Sequence, residues 1–228
     1  MRTSIPRPRS KDPLTAAAAS ILVPALKPLG FQRQGTRKLV RMHEDILHSI
    51  DPSYSPTGGG CFYVECWAMP LIPQTDFFYH CRGERLRDEV EPYSLWPAET
   101  HERADASMQR VVQLLHERVL PFFETIKSTE AFLALLQSSP EQSHHEQFRV
   151  ACCMIRLGRV SEAADHLAEA IRQYNEDGRS WCPPYAAQCE QMLGAIGDGT
   201  FSELLDKWKA QTIRDLRLEK ILPYERTA

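Results

Sequence analysis

The chain has no apolar run approaching the ~18 residues that a membrane-spanning helix needs, so neither insertion nor a membrane partner is expected. It also lacks the short motifs that cradle phosphates or aim a nucleophile: there is no GxGxxG or GxxxxGK loop and no GxSxG elbow. No CxxC or HExxH occurs, which removes the commonest local zinc spacings. The seven cysteines are odd in number and fit no disulfide framework, so they are expected as reduced thiols of a cytoplasmic protein. An excess of one charge is missing too. The formal net charge of -3 gives no general attraction to a phosphate backbone, so no nucleic-acid partner is expected.

What is present is an ordinary globular composition, 43% hydrophobic and 25% charged over 228 residues, enough for one large core or two modest ones. Residues 1–11, rich in Arg, Pro and Ser, read as a flexible arm. The arginines there precede an apolar stretch in the manner of a secretory leader. However, Asp12 breaks the basic segment, Pro24 interrupts the apolar one, and Leu14, Ala17, Ala18, Ile21, Leu22 and Ala25 keep helical spacing. The expectation is therefore a helix with Asp12 as N-cap, Pro13 in its first turn and Gly30 just past its end.

Strand signals follow. Residues 37–43 and 46–51 flank the polar pair Glu44-Asp45, a hairpin pattern. After a loop rich in Pro and Gly, residues 61–69 alternate clearly. Phe62, Val64, Cys66 and Ala68 share one face, while Tyr63, Glu65 and Trp67 share the other, which is aromatic without being wholly apolar and is expected to be half covered. Residues 77–82 predict a fourth strand, and residues 99–119 a long helix closed by Pro121. Ser128 caps a shorter helix to about Gln137, and Ser138, Ser139 and Pro140 mark a boundary. Beyond it, Ala151, Met154, Gly158, Val160, Ala163, Leu167 and Ala170 carry the small-and-large spacing of a tetratricopeptide-like helix pair. A second pair turns through Gly197, Asp198 and Gly199. The fold class is α+β: a flexible arm (1–11), a small antiparallel sheet packed by helices (12–138), and an all-helical C-terminal region (141–228).

No catalytic residue and no cofactor are expected. Cys61, Cys66, His80 and Cys81 are the best local metal donors, but extended backbone sends Cys61 and Cys66 to opposite faces, as it does His80 and Cys81, so no metal site is assigned. Gly58, Gly59 and Gly60 lack the lysine and helix of a phosphate cradle and read as a hairpin connection. Acids such as Glu84 with Asp88, or Glu89 with Glu91, read as a solvated charged stretch. Within the fourth strand, His80 and Arg82 would share a face with Phe78, with Arg85 just beyond. Together with Tyr63, Glu65, Trp67 and Trp96 they make a candidate patch for a carboxylate, a phosphate or an acidic residue of a partner. The plainer reading is that Arg82 and Arg85 pair with local carboxylates.

Residues from about Leu14 to Gln137 resemble the bacterial domain-of-unknown-function family 4304. The likeness rests on the helix ending Leu26-Lys27-Pro28-Leu29-Gly30-Phe31, the basic strand after it, Phe62-Tyr63-Val64-Glu65-Cys66, Phe78-Tyr79-His80-Cys81-Arg82, and Val119-Leu120-Pro121-Phe122-Phe123-Glu124. The segment from Glu44 to Cys61 departs from that pattern by a Pro/Gly-rich insertion, and the helical tail lies outside it. The resemblance implies a compact α+β fold with no established activity. Because some relatives look like members of toxin and immunity gene neighbourhoods, it also implies a non-enzymatic protein-binding module such as an immunity protein that blocks a bacterial toxin. The alternative is a small-ligand binder or enzyme using His80, Arg82 and Arg85 in a cleft between sheet and tail.

Overall fold

The computed structural model describes residues 12–88, 95–139 and 142–221. The arm at residues 1–11, the acids Glu89 and Glu91, and Pro140 lie outside the described residues. The architecture is α+β, a small antiparallel sheet followed by helices.

The first helical stretch begins as its sequence signals require: Asp12 accepts from the Leu14 backbone N–H, and Pro13 opens α1 (Pro13–Ala17). A π turn over Ala18–Leu22 leads into α2 (Val23–Leu26), and a 3₁₀ turn at Lys27–Leu29 ends on Gly30, whose φ of 85° only glycine adopts without strain. The second helical stretch repeats this construction. Thr100 caps α3 (His101–Leu114), a π turn covers Leu115–Val119, and α4 (Leu120–Thr125) follows. Pro121 was expected to close this helix, yet the helix runs through it. Pro24 and Pro121 both fall just after a π turn, where the widened backbone no longer requires the N–H that proline lacks.

The six-stranded sheet comprises β1 (Gln32–Gln34), β2 (Lys38–His43), β3 (Ile46–Tyr54), β4 (Cys61–Pro70), β5 (Arg82–Arg85) and β6 (Trp96–Pro97). Strands β1 to β5 lie in sequence order, and β6 shares an edge of β4 with β5. The strand expected at residues 77–82 begins instead at Arg82. The preceding segment is held in another way: Thr75 Oγ1 donates to the Phe77 carbonyl at 3.2 Å, and Tyr79 donates its hydroxyl to the Pro70 carbonyl at 3.2 Å.

The helical region contains α5 (Thr129–Gln137), α6 (His144–Arg156), α7 (Val160–Asp177), α8 (Cys182–Asp198) and α9 (Phe201–Asp215). Ser128 caps α5, and Ser143 forms a reciprocal capping box with Glu146 at the start of α6. Gly158 turns α6 into α7, whereas Gly197 and Asp198 remain helical and Gly199 alone, at φ 74°, makes the last turn. Ala151, Ala163, Ala170 and Ala186 are buried along these helices, as close helix approach demands.

The contacts divide the chain into two compact units, and the division is not linear in sequence. The first holds residues up to 41, 48–68 and 80–122. The second holds 42–47, 69–79 and the residues from 123 onward. Charge explains why the hairpin tip at 42–47 belongs to the second: Glu44 Oε2 caps Thr129 N at 2.8 Å, and buried Asp45 pairs with Arg156 at 2.7 Å and Lys209 at 2.6 Å. What reads in sequence as a polar turn is a charged anchor.

Candidate functional site

In the first unit, strand alternation buries Phe62, Val64, Cys66 and Ala68 and leaves Tyr63 and Trp67 half-buried on the other face around buried Glu65. The β4–β5 register sets Arg85 opposite Glu65 and Gly83 opposite Trp67. Gly83 is dictated by this closeness: at φ 146° a β-carbon there would lie 2.0 Å from the Cys66 carbonyl oxygen. Glu65 organises the cluster. Its Oε1 accepts from Arg85 Nη2 at 2.6 Å and Nε at 2.9 Å, and its Oε2 accepts from Trp67 Nε1 at 2.6 Å. The Arg85 guanidinium lies 4.4 Å from the Tyr63 ring centre, and the His80 imidazole stacks on Trp67 at 4.6 Å with the rings 9° from parallel. His80 Nδ1 is 4.0 Å from Glu65.

Five of the seven sequence-predicted residues are thus brought together: Tyr63, Glu65, Trp67, His80 and Arg85. Arg82 is not, because its partner in the register is Ala68, on the opposite face, and its Nη1 donates to the Cys81 carbonyl. The face it was expected to share with His80 does not exist, since residues 78–81 are outside any strand. Trp96 is also separated. It pairs with Phe62, is buried on that residue's face, and its Nε1 has no hydrogen-bond partner among the described residues. Arg85 follows the plainer reading, neutralised by a local carboxylate. The cluster holds a matched charge pair among aromatic rings.

No family model matches the chain, and no curated protein or solved structure does either.

The opposite face of β4 contributes to a cavity of about 430 Å³ lined by Cys66, Gly83, Glu84, Arg118, Val119 and Phe122. Burial, with Glu84 and Glu65 adding to it, pushes the Cys66 thiol well up, so it is no thiolate nucleophile. Glu84 is chelated by Arg118, and Asp88 by Arg110.

The second unit contains a group that sequence reasoning missed. His144 and His145 open α6, Asp177 ends α7, and Trp181, Cys182 and Tyr185 lie at the start of α8. The His145 ring stacks on Trp181 at 5.1 Å and its Nδ1 meets the Tyr174 hydroxyl at 2.8 Å. Burial first, then the charges of Arg149, His144 and Arg179, lowers the His145 imidazole to about 4, so it is neutral at physiological pH. Burial also pushes the Tyr174 phenol far up. Beside this cluster, Trp181 and Tyr185 line a cavity of about 480 Å³ with Gln74, Thr75, Asp76, Pro184, Gln188 and Asp215. The one local signal was the His144-His145 pair directly after a Ser143 cap; the rest depends on three helix ends meeting.

Proposed function

We propose that this chain is a non-enzymatic protein-binding module whose docking surface is the sheet face carrying Tyr63, Glu65, Trp67, His80 and Arg85. The observation that supports it is the pre-organised aromatic and arginine array around Glu65, with His80 and Arg85 about half exposed at 55% and 46%. Tyr, Trp and Arg dominate binding hot spots, and an indole already fixed by a hydrogen bond, as Trp67 is by Glu65, loses little entropy on docking. The partner that fits is a protein with an apolar patch for Trp67 and Tyr63 and a carboxylate for the His80 and Arg85 rim. The resemblance to family 4304 makes a bacterial toxin the first partner to try, with the chain acting as its cytoplasmic immunity protein. The test is affinity capture of the full chain beside its Trp67→Ala variant. A stoichiometric partner lost with the indole supports the reading, and a partner held equally by both variants defeats it.

A small-ligand reading has one specific observation behind it, in the helical unit. Among the described residues, the 480 Å³ cavity is lined by two acids, Asp76 and Asp215, two aromatic rings and no basic side chain, and Gln188 Oε1 is buried without a hydrogen-bond partner. Those groups suit a small organic cation such as a quaternary or primary amine. Calorimetric titration with tetramethylammonium and with spermidine, repeated on Trp181→Ala, decides it: no saturable heat in the wild-type chain removes this reading.

A further inference from the structure

We propose that His144, Asp177 and Cys182 form a site for one zinc-class divalent cation, a role independent of the docking reading above. One donor atom from each, an imidazole nitrogen, a carboxylate oxygen and a thiol sulfur, lies within 4.8 Å of the other two. Nitrogen, oxygen and sulfur donors in this combination are those zinc accepts, and three protein ligands leave a fourth tetrahedral position for water. The second observation is independent of that convergence. His144 Nε2 is buried and has no hydrogen-bond partner among the described residues, and it sits 3.8 Å from Asp177 Oδ2. A buried, unpaired imidazole nitrogen carries a desolvation cost that a metal ligand would not.

The three ligands are supplied by backbone that is already fixed. His144 is the first residue of α6, held by the Ser143–Glu146 capping box. Asp177 is the last of α7, ahead of the left-handed Gly178, and Cys182 is the first of α8, its backbone N–H donating to the Arg179 carbonyl at 2.9 Å. Cys182 is buried, and the side chains of His144 and Asp177 are 12% and 15% exposed, which leaves a narrow approach for the ion and its water. Tyr174 and Trp181 flank His144, their ring centres 4.5 and 5.6 Å from its own.

Charge also balances. In the metal-free protein Cys182 carries its thiol proton, with the sulfur within 4.8 Å of an Asp177 carboxylate oxygen. Binding forms a sulfur–metal bond and releases that proton to solvent; the dication is neutralised by one thiolate and one carboxylate beside a neutral imidazole, and the remaining positive charge is that of Arg179, at the exposed side of the site. The competing cation is Arg179, which chelates Asp177 and stacks 4.4 Å from the Trp181 ring centre. Its side chain is 59% exposed, and a carboxylate has about four lone-pair positions, so the metal and the arginine can share Asp177. A Cys–His–Asp nucleophilic relay is the other use of these residue types. It needs the imidazole to bridge thiol and carboxylate through hydrogen bonds, whereas His144 Nε2 has no hydrogen-bond partner among the described residues.

The test uses the full chain, purified without a histidine tag, stripped with chelator and titrated with Co²⁺. The expected result is a near-ultraviolet thiolate-to-cobalt absorption saturating at one equivalent and removed by added Zn²⁺. Cys182→Ser should abolish that band, and His144→Gln and Asp177→Asn should each weaken zinc affinity by at least ~10-fold. Cys61→Ser, in the other unit, should leave it unchanged. Absence of the band from the wild-type chain, or its persistence in a folded Cys182→Ser protein, overturns the assignment. The wild-type cobalt titration decides the matter even if a variant fails to fold.

Discussion

Arg156 donates from Nε to Asp45 Oδ2 at 2.7 Å, tying the last turn of α6 to a hairpin tip far from it in sequence. The same carboxylate receives Lys209 at 2.6 Å, and Arg156 Nη1 reaches Asp206 at 2.8 Å, so one 7%-exposed acid organises two cations. Asp45→Ala takes the buried anion from both cations, leaving Arg156 only the exposed Asp206 and Lys209 only the Glu44 carbonyl. Breaking a buried pair from one side costs more than the pair contributes, and the expected loss is about 3 kcal/mol, read from urea unfolding with an unchanged m value. Glu169→Gln, which removes an exposed partner of Arg172 on α7, should be indistinguishable from wild type in the same assay.

Two glycines of similar appearance should behave in opposite ways. Gly83→Ala forces a β-carbon to within 2.0 Å of the Cys66 carbonyl and 2.9 Å of Trp67 Cα at a φ that L-residues avoid, so it should destabilise by more than about 2 kcal/mol and disturb the β4–β5 pairing. Gly194 lies inside α8 with nothing within 4 Å of an added β-carbon, and Gly194→Ala should stabilise by roughly 0.5–1 kcal/mol. Thermal denaturation of the two variants side by side tests both signs.

Asp12 gives a pH-dependent prediction. Partial burial works against its charged form, but hydrogen bonds from Thr15 and Tyr54 and the charge of Arg37 outweigh it, and the carboxyl sits below its ordinary 3.8. A depressed folded value means that the stability is fully present above the ordinary value and is lost as pH falls through the folded one. Asp12→Asn keeps the capping oxygen and removes the charge. Its denaturation midpoint should therefore fall below that of wild type at pH 7, and the two should converge as the buffer is acidified. A gap independent of pH would show that the charge plays no part.

Much of this fold was legible because its signals are local. Asp12 with Pro13, Ser128 and Gly30 cap what they were expected to cap, and the alternation from Phe62 to Ala68 fixed which side chains share a face. The misplaced fourth strand shows where local reading fails. Phe77 and Tyr79 have the composition of a strand, but Tyr79 is held by the Pro70 carbonyl and by the Arg149 guanidinium 4.4 Å from its ring centre, and neither contact is encoded nearby in sequence. That slip put Arg82 on the wrong face and hid the Glu65–Arg85 register. The His144, Asp177 and Cys182 group was invisible for a simpler reason: its members sit at the ends of three different helices.

The Glu65–Arg85 pair separates the structural from the binding contribution of the sheet face. Glu65 is buried and Arg85 only half so, hence solvent screens the pair, and a double-mutant cycle of Glu65→Gln and Arg85→Met should return a coupling of about 1 kcal/mol in unfolding. Arg85→Lys should recover little of it. A lysine cannot present two donors to Oε1 while lying flat over Tyr63. If the face docks a partner as proposed, Arg85→Lys should weaken partner binding far more than it weakens folding, because the planar guanidinium is what the partner's carboxylate would meet. Equal losses in both assays would mean that Arg85 serves the sheet alone.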